Sequence, residues 1–397
     1  MSEQNHRPMM WLPSLYFAKG MPYVVIMVLS LLLFRQMGQR LSVITLLVAC
    51  FYLPWVLKPL WKARLMPLLE CRTWILLTEF LLMLGFACLA FVVDTVGIIF
   101  ASLLTVAFLT AIHNVAVDEL FRKNIDETTQ YNYRHVKEFF RMLAVVVGQG
   151  VIVMMVGNLQ ILYRNDITFS WSFMFYVIAG FFILFVLWHL RVIPNLKRVE
   201  IKESTAHSAL PLSVVSFLLF YGISPAFLSK VAVLYLVEPV RRGGLGLSPQ
   251  EFGFVMGSLG IFALTVGGLI GSKLLTHFSF DRCKWPLALT MLVPSLVYVY
   301  MSSVQPVELW IVSLCISIDQ LCYGIGFSAY LFLLHRLGGE FRKSLLALSM
   351  MIPCAVSGFV VSETGFPQFF IISFILGGVG LLSVWFLNVS EENLKLD

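Results

Sequence analysis

Apolar residues in this chain do not alternate with polar ones. They form long unbroken runs of about twenty residues, the length at which a helix crosses the hydrocarbon core of a bilayer. The runs fall at Met9–Phe34, Leu41–Trp61, Thr73–Val93, Gly97–Val117, Lys137–Gly157 and Ser170–Leu190, then at Pro211–Val237, Gln250–Leu274, Trp285–Ser303, Glu308–His335, Lys343–Ser362 and Pro367–Leu387. A polar connector, Arg191–Leu210, separates the two groups. Barrel strands would be shorter and would alternate, so the pattern predicts an all-α membrane protein of about twelve spans. Residues 1–190 are expected to form one six-helix bundle, 191–210 a cytoplasmic connector and 211–397 a second six-helix bundle. Two sixes about a charged connector predict a fold of two packed helical bundles.

Composition agrees with lipid burial. The chain of 397 residues is 59% hydrophobic and 13% charged, against about 25% charged in a soluble domain. Its net charge of +6 is spread over alternate loops and forms no single patch, which speaks against nucleic acid as a partner. With the N-terminus inside, the outer loops carry only Arg35, Arg40, Arg164, Arg241 and Arg242, whereas Lys58, Lys62, Arg64, Arg122, Lys123, Lys197, Arg198, Lys273, Arg282, Arg342 and Lys343 lie inside. Both termini are therefore expected in the cytoplasm. The first apolar run is longer than the core of a cleavable signal peptide, and none is expected. The seven cysteines lie mostly within apolar runs, form no CxxC pair and read as small packing residues. Phosphate-cradling loops, zinc ligand sets and nucleophile elbows are missing from the sequence, so no cofactor, metal or enzymatic activity is expected; a monomer is.

Ionisable groups inside spans are costly, about 2.5–3.5 kcal/mol each at a helix centre, and invite a functional explanation. Lys19 sits midway along the first run with Tyr16 and Tyr23 three and four residues away on one face, a wall that offers a cation between two rings. Asp319 lies in the tenth run, with Cys322, Tyr323, Gly326 and Tyr330 following on roughly the same face. It is expected to titrate, with Lys230 as a partner; Glu79, standing alone in the third run, is the second coupling candidate. Lys230 follows Pro225 in the seventh run and mirrors Lys19, a pair suited to an anionic solute. Thr110, Asn114 and Asp118 make a polar stripe on the fourth run, and Arg141 and Gln149 share a face of the fifth, where Arg141 is expected to answer Asp118 as a gating ion pair. His113 and Asp118 fit an H-x4-D acyltransferase string, but on a continuous helix their side chains point about 140° apart.

Several segments resemble the AmpG-type muropeptide permeases of Gram-negative bacteria, a branch of the major-facilitator superfamily. Phe17–Pro22 (FAKGMP) is similar to that family's F-A-S-G-x-P, Leu53–Trp61 (LPWVLKPLW) to its L-P-x-x-x-K-x-L-W, and Val115–Asp118 to its D-I-A-x-D. Phe217–Tyr221, Leu247–Pro249, Asp319–Leu333 and Arg342–Gly358 resemble its seventh, tenth and eleventh helices and the loop after the seventh. The chain departs at Lys19, where a small polar residue is usual, at Asn114, which replaces an acid, and at Asp319, where glutamate is common. Lys62-Ala-Arg64 stands where an acidic residue is expected, and two additional helices of some members have no counterpart. The resemblance implies proton-driven import of anhydro-muropeptides across the bacterial inner membrane. Tyr16, Tyr23, Tyr323 and Tyr330 would stack sugar rings, and Lys19 or Lys230 would meet peptide carboxylates. Competing readings are a carrier of another anionic solute such as an acyl-coenzyme A, a membrane-embedded acyltransferase using His113 and Asp118, and a non-transporting sensor.

Overall fold

The computed structural model describes residues 8–125, 127–194, 211–337 and 340–387. The connector beyond Pro194 lies outside the described residues, as do the side chains from His335 to Lys343. Among the described residues there is no strand, and eleven helices are long and apolar enough to cross a membrane. They are Leu12–Gln36, Cys71–Phe91, Val96–Asn124, Thr129–Leu162, Ile167–Val192, Leu212–Val237, Pro249–His277, Phe280–Val304, Leu309–Leu334, Ser344–Thr364 and Phe366–Phe386. The pair Leu41–Val56 and Lys58–Leu68, bent by 46°, completes up to twelve.

Proline explains the breaks. It removes a backbone donor and crowds the preceding turn. Pro54 and Pro59 flank the bend of the second span. The seventh parts at Tyr221–Gly222 just before Pro225, and the ninth at Met291–Leu292 just before Pro294. Three spans widen into π turns, at Val25–Leu29, Val146–Ile152 and Gly253–Gly260.

The fifth span begins at Thr129, well before the expected Lys137. The added turns carry Arg134 and His135, and Lys137, Glu138 and Arg141 follow them at helical spacing. Their charge hides an amphipathic helix whose other side, Tyr133, Val136 and Phe140, packs on an apolar core.

The chain clusters into two compact units. One takes in residues up to Ser30 and those from Leu57 as far as Pro194. The other takes in Leu31–Val56 and the described residues from Pro211 onward. The first span therefore changes unit at Ser30, and of the second span Leu41–Val56 packs with the later half of the chain.

Within the first unit the first and fifth spans touch closely, because Gly20 faces Ala144 and the Arg141 carbonyl at distances that leave no room for a methyl. In the second unit the eighth and tenth spans meet backbone to backbone. A Cβ on Gly267 would stand 2.2 Å from the Leu321 carbonyl, and one on Gly324 would stand 2.4 Å from that of Leu264. Small residues allow such approach between membrane helices. Gly358 of the eleventh span lies likewise against Thr45 and the Leu41 carbonyl of the second.

Candidate functional site

The first unit gathers charged side chains around Tyr16. Lys19 forms an ion pair with Oδ1 of Asp118; their side chains are 14% and 57% exposed. The Tyr16 hydroxyl donates to the same Oδ1 at 3.4 Å. The Tyr16 ring lies 5.2 Å from the Lys19 ammonium and 5.5 Å from that of Lys137, within reach of cation–π attraction. Lys137 also stands 3.7 Å over the ring of Phe121, and among the described residues it makes no ion pair. Of the two lysines here, Lys19 holds the carboxylate and aromatic rings hold Lys137.

Arg141 pairs with Glu138 one turn earlier on its own helix, not with Asp118 as expected. Gln149 is buried, and it lies inside the π turn Val146–Ile152, which rotates it off the face that eight-residue spacing assigns to Arg141. Asn114 has a buried Oδ1 without a hydrogen-bond partner. Tyr23 is exposed.

A second polar layer lies deeper in this unit. Glu79 is not alone: its Oε1 sits 2.7 Å from Nδ1 of His189, and both side chains are 0% exposed. Nε2 of His189 reaches Ser14 Oγ at 2.9 Å, and Ser14 can donate to the Trp11 carbonyl at 3.2 Å. Beside it, Thr78 bonds Nδ1 of His113 at 3.1 Å. His113 and Asp118 share the continuous helix Val96–Asn124, one buried against Thr78 and the other largely exposed, so they do not converge on one atom. At the end of the same helix Glu119 binds both Lys62, at 3.2 Å, and Arg122, at 2.6 Å.

The second unit handles its charges differently. Asp319 is buried and accepts hydrogen bonds from Gln320 at 2.9 Å and from the Tyr298 hydroxyl at 3.4 Å; the expected pair with Lys230 does not form. Lys230 is buried with its ammonium 5.8 Å from the centre of the Tyr52 ring. Tyr323 stacks on Phe327. Tyr330 is a core residue: it is fully buried against Phe217 and Phe327, and its hydroxyl is donated to the Leu218 carbonyl at 2.8 Å. At the end of the first span Arg35 grips Glu238 through two parallel bonds of 2.5 and 2.6 Å. Arg242 adds a third contact at 3.4 Å.

Sequence reasoning missed His189, Ser14, Lys137 and Glu238. The first had a readable signal. Glu79 lies near the start of the third span and His189 near the end of the sixth, and since odd and even spans run in opposite directions, both sit at the same depth. A buried acid and the imidazole at its level are natural partners.

No known family model matches the chain. A stretch of 202 residues, 46% of the chain, is 21% identical to an uncharacterized protein of Haemophilus influenzae and spans 46% of it. Another of 177 residues, 43% of the chain, is 23% identical to the anhydromuropeptide permease of Escherichia coli K12 and spans 35% of it. The chain thus matches less than half the length of these curated relatives. Among solved structures, the nucleoside transporter NupG matches with a TM-score of 0.65 at 12% identity, over 94% of this chain and 96% of that one. An auto-inhibited POT family peptide transporter matches with a TM-score of 0.66 at 10% identity, over 96% and 95%. A bacterial homologue of the lysosomal transporter Spinster matches at 0.64 and 12%, over 97% and 95%. The named proteins are permeases and transporters, not enzymes. The chain is a multi-pass integral membrane protein with the all-α fold of the major-facilitator transporters.

Proposed function

We propose that the chain is a secondary transporter of the bacterial inner membrane that imports anhydro-muropeptides or related amino-sugar fragments together with protons, with both termini cytoplasmic. The observation that carries the preference for an anionic solute is Lys137, fixed over Phe121 and Tyr16 with no ion-pair partner among the described residues and next to the Lys19–Asp118 pair. A substrate carboxylate satisfies that cation and competes with Asp118 for Lys19, a charge-assisted exchange. The similarity to the E. coli anhydromuropeptide permease supports the solute class.

Lys19 and Lys230 are the proposed carboxylate contacts, and Tyr16, Tyr23 and Tyr323 the proposed surfaces for sugar rings. Tyr330 is left to packing. Asp319 is the proposed coupling group, and Asn114, Asp118, Arg141 and Gln149 the proposed gating set. The test is uptake of radiolabelled anhydro-muropeptide into proteoliposomes with and without an imposed pH gradient. Accumulation that follows the gradient is expected. Uptake of acyl-coenzyme A in its place, or uptake indifferent to the gradient, overturns the solute or the coupling respectively.

A further inference from the structure

We propose that Glu79, His189 and Ser14 form a proton-binding relay inside the first unit, in which a proton enters at Ser14 and is stored on the Glu79 carboxyl. Two features of the geometry carry it. The three groups form an unbroken hydrogen-bonded line from the sixth and third spans to the first: Glu79 Oε1 to His189 Nδ1 at 2.7 Å, and His189 Nε2 to Ser14 Oγ at 2.9 Å. Only the last member is open; Glu79 and His189 are sealed from solvent, while Ser14 is half-buried. The second feature is the other carboxyl oxygen. Oε2 of Glu79 is buried and has no hydrogen-bond partner among the described residues. An ionised carboxylate leaves that oxygen with an uncompensated charge, whereas a neutral acid does not.

Both protonation states satisfy every polar hydrogen in the line. In the anionic state neutral His189 donates Nδ1–H to Glu79, and the Ser14 hydroxyl donates to Nε2. Protonation begins when a solvent water delivers a proton to Ser14 Oγ and the Ser14 hydroxyl proton passes to Nε2. The Nδ1 proton then passes to Oε1 of Glu79. The imidazole ends as the other neutral tautomer, with Nε2–H donating to Ser14. The Ser14 hydroxyl turns to the Trp11 carbonyl, 3.2 Å away. One proton has been gained, no heavy atom has moved, and the imidazole has changed tautomer.

The groups around the relay are few. Among the described residues His189 is the titratable neighbour that acts on Glu79. His113, in the fourth span, is bonded to Thr78 and lies close enough to feel the charges of His189, Lys19 and Asp118. A stored proton is therefore felt at the Lys19–Asp118 pair through His113, and through the first span, which carries Ser14 and Lys19 alike. The claim concerns proton binding and holds whatever the solute.

Infrared difference spectroscopy of the purified full chain in lipid nanodiscs, without substrate, tests it. Lowering the pH should raise the carbonyl stretch of a buried protonated carboxylic acid, and the band should be lost in Glu79→Gln. In Glu79→Asp the band should persist at a shifted frequency, which keeps the test valid should the glutamine variant fold poorly. Ser14→Ala should keep the band and slow its appearance after a pH jump by roughly a hundredfold. A titrating band unaffected by Glu79→Gln, or no such band in the unmodified protein, overturns the assignment to Glu79. An unchanged rate in Ser14→Ala overturns the entry route.

Discussion

The two units bury similar apolar spans but hold them together by different chemistry. In the first, charged side chains reach across helices: Lys19 to Asp118, Glu79 to His189, Lys62 to Glu119. In the second, the interior is joined by backbone contact and by neutral hydroxyls. Ser224, Ser295 and Ser373, from the seventh, ninth and twelfth spans, bond one another at 2.9, 3.0 and 3.4 Å. Its two-pronged ion pair, Arg35–Glu238, sits at span ends. Hydroxyl and glycine contacts keep their strength whatever the pH or the solute. Ion pairs in a low dielectric depend steeply on who else is charged nearby. The first unit is thus the richer in contacts that a charged solute or a proton can rearrange, whereas in the second such groups, Asp319 and Lys230, lie buried within a frame of glycine and hydroxyl contacts.

The sharpest way to break this contrast is at the glycine seam. Gly267→Ala places a methyl against the Leu321 carbonyl and should cost about 3 kcal/mol, read as a lost or lowered thermal transition in detergent. The neighbouring Gly268→Ala, which faces open space, should stay within about 0.5 kcal/mol of the parent. Equal effects would remove the case for a rigid second unit.

Lys19→Ala should leave the fold intact and weaken solute affinity by about 2 kcal/mol, roughly thirtyfold, in proteoliposome uptake. Normal transport by that variant makes the Lys19–Asp118 pair architectural. Asp319→Asn mimics the protonated acid. It should retain exchange of solute and lose accumulation against a gradient, measured by counterflow alongside uptake. If accumulation survives, coupling lies in the first unit, and the contrast becomes sharper. A modest loss is expected at Ser295→Ala, about 0.6 kcal/mol of thermal stability, unaltered between acid and neutral pH because only hydroxyls are involved.

The spans were legible because each is a long apolar run, and lipid leaves the backbone no alternative to a helix. Boundaries failed where charge and helix coincide. Asn132, Arg134 and His135 made the turns before Lys137 read as a loop. Partners were less legible than positions. Lys19 and Asp319 announced themselves by being ionisable in apolar surroundings, but which group answers each depends on the rotation and depth of neighbouring helices. Arg141 was matched with Asp118 across spans although Glu138 stands one turn away on the same helix. Lys230 was matched with Asp319 although Tyr298 and Gln320 already satisfy it. Same-face arithmetic at 3.6 residues per turn also assumes a uniform helix, and Gln149 lies where that fails.

The three widened turns bear on genetics as well. A π turn holds about one residue more than the α turn it replaces, so it behaves as an insertion already absorbed by the helix. Removing a single codon from an ordinary stretch of a span turns everything beyond it by about 100° and sends lipid-facing side chains into the core. Removing one from Val25–Leu29, Val146–Ile152 or Gly253–Gly260 can relax the coil to plain α and leave both flanks in register. In-frame one-codon deletions recovered from a random library as membrane-inserted protein should therefore concentrate in these three windows.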